Sequence, residues 1–484
     1  MIKFHGENGE LKTRKSFEDF CWKRSSMSVM GQKSSKPRHC SNMEPKVDRN
    51  HTDLNTTRDN DKDIKLIPKQ CNTNVDCPLV PEWIHKSQFI EILKENVPEF
   101  SRIENFFVKP ALSAKENYSS LILRVTIDVE LIDKTIKPLS FMMKVPHESA
   151  KMQQMLKTVN FFTVENATYT ELISKFENLY KTKGMSISFA PRTYKFKESL
   201  KKEPKLANSV LMYDLGQDGY KNVNRLECLN MDETKFVLRK LAQYHAAGAH
   251  CRIVHGPYSD VFTQPTFGSN KERALSILNG IMGPFKKMFL DNLNDFKNGE
   301  KYYDKFERLF STMSQQFLKL STYDPNEFNV INHGDCWIKN LLFKFGPKGE
   351  LVDLMFVDFQ LPKYGHPSTD LLNFIITSVH IDYKLKDFDF FIKYYHDHLI
   401  EHLKLLGYKE RMPTLRELHS QLYKYGIWAI TASVMVLPIV LLDPNEETLE
   451  SPKFKNMLYT NSRYKAHINK ILPWLDNRGL LDTD

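Results

Sequence analysis

Between Leu121 and Leu131 every second residue is large and aliphatic: Leu121, Leu123, Val125, Ile127, Val129 and Leu131, with Arg124, Thr126, Asp128 and Glu130 falling between them. A side-chain period of two belongs to a strand with one buried face, because a helix would scatter these residues around its circumference. Asp133-Lys134 offers a turn, and Leu139-Ser140-Phe141-Met142-Met143-Lys144-Val145 follows as the hairpin partner. Apolar runs at residues 186–196 and 209–215 also read as strands. One helix precedes this region, with Phe89, Ile90, Leu93 and Val97 on one side and Pro98 at its end. A second is expected over about residues 160–181, where Phe162, Tyr169, Leu172 and Phe176 share a face. From Leu229 onward the period turns helical, over 232–250, 271–293, 301–320, 368–379, 388–406 and 415–437, with one β-rich interruption at 330–360. Strands gathered early and helices late predict an α+β fold, with no internal repeat.

The first 80 residues differ from the rest. They are polar, carry scattered charge and follow neither period, so they cannot bury enough apolar surface to offset the entropy of ordering. The expected organisation is a disordered extension over 1–80, a strand-rich lobe over 81–213 and a helical lobe over 214–484. Hydrophobic residues make up 41% of the chain, enough for a large core in the remainder. The formal charge of +9 is modest for 484 residues. No run of Lys and Arg with interleaved aromatics accompanies it, so dispersed surface lysines explain it and no nucleic-acid partner is expected. Of the seven cysteines, Cys21, Cys40, Cys71 and Cys77 lie in the polar segment, and no Cys-x-x-Cys pair occurs. Neither a disulfide framework nor a zinc site is indicated. The longest apolar run, 427–442, contains Thr431, Ser433 and Pro438 and is short for a membrane span, so it reads as a buried helix. A monomeric cytoplasmic protein is the expectation.

The chemistry is concentrated in His333-Gly334-Asp335-Cys336-Trp337-Ile338-Lys339-Asn340. Asp335 and Asn340 are five positions apart, and Phe356-Val357-Asp358-Phe359-Gln360 follows eighteen residues after Asn340. Phosphoryl transfer needs a carboxylate near the attacking hydroxyl and oxygen ligands for the Mg²⁺ that bridges the phosphates. A His-x-Asp-x4-Asn pattern followed by Asp-Phe supplies both in kinases. Asp335 then orients or deprotonates the hydroxyl, while Asn340 and Asp358 hold metal. The first half of the pattern alone occurs by chance in roughly a few per cent of chains this long. The second half, at a suitable distance, makes coincidence a poor account.

An independent pair lies upstream. Lys144 ends a strand of apolar neighbours, and Glu165 falls on the buried face of its helix, three residues after Phe162 and four before Tyr169. A lone inward glutamate is costly, so Lys144 is its expected partner, as in the strand-lysine to helix-glutamate pair that positions ATP phosphates. Asp370 opens a helix after His366-Pro367, where a carboxylate suits the helix start and can also anchor the loop at 333–340. His245 is expected to be structural rather than a ligand, and Trp337 to pack rather than to form a substrate platform.

Taken together, His333 to Asn340, Val357-Asp358-Phe359-Gln360 and Pro367-Ser368-Thr369-Asp370-Leu371 resemble the ecdysteroid kinase-like (CHK kinase-like) family of arthropods. Pro81-Glu82-Trp83, Glu116-Asn117-Tyr118-Ser119-Ser120, Tyr213-Asp214-Leu215 and Leu241-Ala242-Gln243-Tyr244-His245-Ala246-Ala247 extend the resemblance from about residue 80 to the C-terminus. It implies a protein-kinase-like bilobal fold, related to choline kinases and aminoglycoside phosphotransferases. It also implies transfer of the ATP γ-phosphate, with Mg²⁺, to a hydroxyl of a small molecule such as an ecdysteroid or another apolar alcohol or xenobiotic. ATP would lie against Lys144, against Asn117, Tyr118, Ser119 and Ser120, and against a hinge at Met212, Tyr213 and Asp214. The acceptor pocket would form in the helical lobe, from segments such as 271–293 and the Trp428 helix. The sequence departs from the family where Ala114-Lys115 stands for glycine before Glu116, and Lys339 for a common Asn. The glycine-poor loop leaves a rival reading, a catalytically weak binding protein on a kinase scaffold. A protein kinase fits less well, because Trp337 occupies the position of the usual lysine and no Ala-Pro-Glu follows Asp358.

Overall fold

The computed structural model describes residues 80–111, 120–146, 161–197, 204–443 and 457–482. The disorder expected over 1–80 falls outside them except for Val80. The hairpin of the sequence forms as β2 (Ser120–Leu131) and β3 (Ile136–Pro146), antiparallel, with Val125 opposite Phe141 and Ile122 opposite Lys144. Leu123, Val125, Ile127 and Val129 have no solvent exposure. Each such side chain contributes roughly 1.5–3 kcal/mol by leaving water, and a one-residue slip would expose them all, so the register is strongly specified. An unforeseen strand, β1 (Phe100–Pro110), pairs with β2 on its other edge. With β4 (Thr193–Tyr194) and β5 (Val210–Tyr213) the strands form one antiparallel sheet, in the order β1-β2-β3-β5-β4.

One face of this sheet is closed by helix α1 (Ile90–Asn96) and the turn before it. Phe89, Ile92 and Leu93 share a core with the odd-numbered residues of β2 and with Phe141, Met143 and Val145. The opposite parity, Ile122, Arg124, Met142 and Lys144, lines a cleft. Pleating therefore decides that Lys144 faces the cleft while its neighbours Met143 and Val145 face the core.

The expected helix at 160–181 is the helical run α2, comprising Phe161–Ala167, a π-helical turn Thr168–Ile173 and Ser174–Lys181. The strand expected at 186–196 shrinks to Thr193–Tyr194. Phe189 gives its N–H to the Glu177 carboxylate (2.9 Å) and accepts at its carbonyl from Phe356 (2.8 Å), and Pro191 has no N–H to offer a ladder. Its backbone groups are satisfied singly, so no strand extends there.

The remainder is mainly helical around a second core. Its elements include α3 (Met231–His255), α4 (Lys271–Asn292), α5 (Tyr303–Leu320), α6 (Ser368–Ser378), α7 (Phe388–Leu406), α8 (Leu415–Lys424), a run α9 (Ile427–Thr431, Ala432–Val436 and Leu437–Leu441) and α10 (Ser462–Asn477). The β-rich interruption supplies β6 (Tyr220–Lys221), β8 (Leu341–Phe345) and β9 (Leu351–Phe356) as one small sheet, and β7 (Val330–Asn332) with β10 (Lys363–Gly365) as another. The expected continuous helix at 415–437 is broken: α8 and α9 meet at 56°. Gly426 marks the break, where a Cβ would stand 2.5 Å from Leu480 Cδ2 and 3.1 Å from the Tyr423 carbonyl oxygen, so a larger residue would have to displace the end of the Leu480 side chain. No single helix among the described residues is long and apolar enough to cross a membrane. The bent pair qualifies only by length and composition, and its apolar residues Ile427, Ile430, Leu437 and Leu441 are buried.

Candidate active site

The cleft beneath the large sheet has a volume of about 650 Å³. It is lined by Ser120, Lys144, Glu165, Met212, Tyr213, Asp214, Asp335, Asn340 and Asp358, so every expected site residue that the structure describes opens onto one cavity. Asn117, Tyr118 and Ser119 lie outside the described residues, as do Ala114 and Lys115. The segment at 271–293 and Trp428 contribute nothing to this lining. Trp428 instead stacks on Phe317, ring centroids 4.1 Å apart. Their aromatic richness serves core packing.

Lys144 Nζ stands between two carboxylates, 2.7 Å from Glu165 Oε2 and 2.6 Å from Asp358 Oδ1. Lys144 and Glu165 are almost wholly buried, and a buried ammonium without a partner costs several kcal/mol. Burial alone would lower the Lys144 pKa, but Asp358 and Glu165 hold it above its ordinary value, so the amine stays charged. One cation cannot fully neutralise two carboxylates. Burial lifts Glu165 to about 7 against the pull of Lys144, and repulsion from Asp358 adds to the rise. Among the described residues Glu165 Oε1 is buried with no hydrogen-bond partner.

Asp335 is the third acid. Burial of its carboxyl and then the nearby Asp358 raise its pKa to about 7, opposed by hydrogen bonds from Trp337 and Asn340 and by the Lys144 charge. Asn340 Nδ2 donates to both the backbone carbonyl and the Oδ2 of Asp335, each at 2.9 Å. The amide is thereby oriented, leaving its oxygen as the remaining ligand atom. Trp337, expected only to pack, also works against the rise in the Asp335 pKa.

The loop carrying these groups is held from behind by α6. Asp370, without solvent exposure, accepts from the backbone N–H of His333 (2.6 Å) and Gly334 (2.9 Å) and pairs with His245 Nε2 (3.1 Å). On the same helix Ser378 Oγ accepts from Ile338 N–H at 3.0 Å. Burial lowers the His333 pKa, keeping the ring neutral. Its Nδ1 accepts from Asp335 N–H (3.3 Å), which leaves Nε2–H to donate to the Val357 carbonyl (3.1 Å). This neutral ring ties the Asp335 segment to the Asp358 segment, and Val357 N–H completes the tie to the Asn340 carbonyl at 3.0 Å.

Two backbone positions allow this. Gly334 has φ +78°, and a Cβ there would lie 2.0 Å from the Leu361 carbonyl oxygen. Asp358 has φ 67° without being glycine, a conformation that costs on the order of 1–3 kcal/mol and persists only where the surroundings impose it. Phe359 does so. It is fully buried with His333 (ring centroids 4.6 Å) and Tyr169 (5.3 Å) against it.

Sequence reasoning placed Asp370 as a loop anchor and His245 as structural but not their pairing, and it gave no role to Gly334, Arg124 or Ser140. Asp214, expected at a nucleotide hinge, has its carboxylate engaged by Arg124 Nε (2.8 Å), Ser140 Oγ (2.7 Å) and Gly216 N–H (3.1 Å). Any role for it there falls to its backbone.

A model of the ecdysteroid kinase-like family matches residues 114–408, more than half of the 484. The chain belongs to the ecdysteroid kinase-like family. The match contains the whole set Lys144, Glu165, Asp335, Asn340, Asp358 and Asp370. It also places this ecdysteroid kinase-like chain in a kinase-like family, for which phosphotransferase chemistry is the general expectation. No curated protein matches the chain.

Proposed function

We propose that this ecdysteroid kinase-like protein is an ATP-dependent phosphotransferase of protein-kinase-like bilobal fold, which moves the γ-phosphate to a hydroxyl of a small apolar molecule. An ecdysteroid or a hydroxylated xenobiotic fits this class, and with the latter the role would be detoxification. The observation that carries the reading is the meeting of Lys144, Glu165 and Asp358 with the Asp335–Asn340 pair in one cleft. These residues come from the strand β3, the helical run α2 and two separate loops, and packing alone has no need to gather them.

The donor set suits Mg²⁺. Asp358 offers carboxylate and Asn340 an amide oxygen, both hard ligands, and among the described residues no cysteine or histidine lines the cleft. Excess negative charge points the same way, since Glu165 Oε1 has no partner and two carboxyls are lifted to about 7. Bound there, Mg·ATP supplies the phosphoryl group and the positive charge that eases its transfer. Lys144, aligned by Glu165, would grip the phosphates. The backbone at Met212, Tyr213 and Asp214 would take the adenine edge, with Ser120 beside the phosphates. Asp335 would receive the hydroxyl proton while the new O–P bond forms and the bond from the γ-phosphorus to the ADP oxygen breaks.

The test is ADP release by the purified protein with Mg·ATP across a panel of ecdysteroids and hydroxylated xenobiotics, beside Asp335→Asn. Acceptor-dependent turnover is expected, falling by about 10²–10⁴-fold in the variant with its fold unchanged. Absence of both turnover and Mg·ATP binding would overturn the reading and leave the binding-scaffold alternative.

A further inference from the structure

On α7, away from the cleft, His398-Leu399-Ile400-Glu401-His402 sets two histidines one helical turn apart with a glutamate between them. Residues at i, i+3 and i+4 share a helix face. One ligand atom from each of His398, Glu401 and His402 lies within 4.8 Å of the other two. None of the three lines the cleft under the sheet. We propose that His398, Glu401 and His402 form a binding site for a divalent transition cation of the zinc class, separate from the phosphotransfer site.

A second observation points to a ligand. His402 is 4% exposed, and its Nδ1 is buried with no hydrogen-bond partner among the described residues. A buried ring nitrogen left bare is costly unless something binds it. The other nitrogen, Nε2, faces the Gln243 side-chain amide of α3 at 3.3 Å. The amide nitrogen is set against the ring there; turned end for end, the amide presents its oxygen, so that Nε2–H donates and the Nδ1 lone pair is left for a metal. A metal-bound histidine ordinarily gives its second N–H to such an acceptor. The Tyr180 hydroxyl donates to the Gln243 backbone carbonyl at 2.9 Å, and the Tyr180 ring stands edge-on to His402.

The chemistry of the set is selective. Two imidazoles and a carboxylate suit Zn²⁺ and its neighbours, whereas Mg²⁺ prefers oxygen alone. Ligands around one tetrahedral zinc lie roughly 3.3 Å apart. His398 Nδ1 and Glu401 Oε2 are already 2.9 Å apart, and both side chains are accessible enough to adjust. Such an ion would fasten α7 to α3 through Gln243.

Metal-stripped full-length protein titrated with Co²⁺ tests this. We expect one equivalent to bind with a visible ligand-field band and no thiolate-to-cobalt band in the near ultraviolet. His398→Ala, at a partly exposed position, should abolish the band, and Gln243→Ala should weaken binding roughly 10–100-fold. Zn²⁺ should raise the melting temperature of the parent protein but not of His398→Ala, with Mg·ATP binding equal in both. An unchanged band in His398→Ala would overturn the proposal, as would no band in the parent. A dominant thiolate band would assign the metal to cysteines such as Cys21, Cys40, Cys71 and Cys77, and would likewise overturn it.

Discussion

Asp358 and Asp370 flank the same loop, and the protein treats their charges in opposite ways. Asp370, behind the loop, has no solvent exposure and three donors: two backbone N–H groups and His245. Its electrostatics are completed within the chain. Asp358, in front, sits on a left-handed backbone, shares one ammonium with Glu165 and raises the pKa of Asp335. Its electrostatics are left unbalanced toward negative charge. A satisfied buried network rigidifies, whereas an unbalanced one on a cleft is prepared for something that arrives. The back aspartate is therefore a positioning residue for the loop, and the front one belongs to the proposed chemistry.

The sharpest way to break this contrast is Asp358→Asn. Activity should fall by about 10²–10³-fold, the usual loss when one preorganised charge is removed. Stability at pH 8 should hold or rise, because Lys144 keeps Glu165 at 2.7 Å and both remaining acids lose a repulsive neighbour. A large drop in the urea midpoint would mean that Asp358 is structural after all. Asp370→Ala should behave in the opposite way. It leaves two loop N–H groups and His245 without their acceptor, and each buried donor left unsatisfied costs about 1–3 kcal/mol. Urea unfolding should register that loss directly, and an unaffected midpoint would show that the loop is held by something else.

The same contrast explains what the sequence disclosed. Lys144, Glu165, Asp335, Asn340 and Asp358 were legible because each belongs to a local pattern, a strand end, a helix face or a short spaced motif. β1 escaped notice because the register shifts near Phe100 and Ile103 put its apolar residues at Phe100, Ile103, Phe106 and Val108, which follows no single period. The break at Gly426 depends on Leu480, and the short strand near Thr193 on Glu177 and Phe356, which no local window contains. Asp370 was read as a helix start that can anchor the loop at 333–340, and its bonds to His333 and Gly334 do so; the donor the sequence did not disclose is His245, 125 residues away. Long-range hydrogen bonding is the part of this site that spacing could not supply.

A pH series sharpens the front half of the comparison. Asp335 must be ionised to accept a proton, and its pKa is pushed up to about 7. The rate should therefore climb roughly tenfold per unit below pH 7 and level off above it. The stability sign runs opposite to the rate. A folded-state pKa raised from 3.8 means that the native protein binds the proton more tightly than the unfolded chain. The associated stability is fully present below about 4 and lost as the pH rises toward 7. Glu165, lifted from 4.5 to about 7, acts in the same direction. Mg·ATP should raise the melting temperature more at pH 8 than at pH 6, since the deprotonated acids repel one another most there. Equal increments at the two pH values would remove the link between the carboxyl cluster and the ligand.

The smallest effect probes the back of the loop at one remove. Tyr395 hydroxyl meets His245 Nδ1 at 2.7 Å, and both residues are fully buried. Tyr395→Phe keeps the ring that packs edge-on to His245 and deletes only this bond, so a cost of about 1 kcal/mol is expected. Because Asp370 retains its two backbone donors, the loop should stay in place and the rate constant should change little. If the rate fell by as much as in Asp358→Asn, His245 could not be only a prop. The division between a finished back and an unbalanced front would then have to be redrawn to include it.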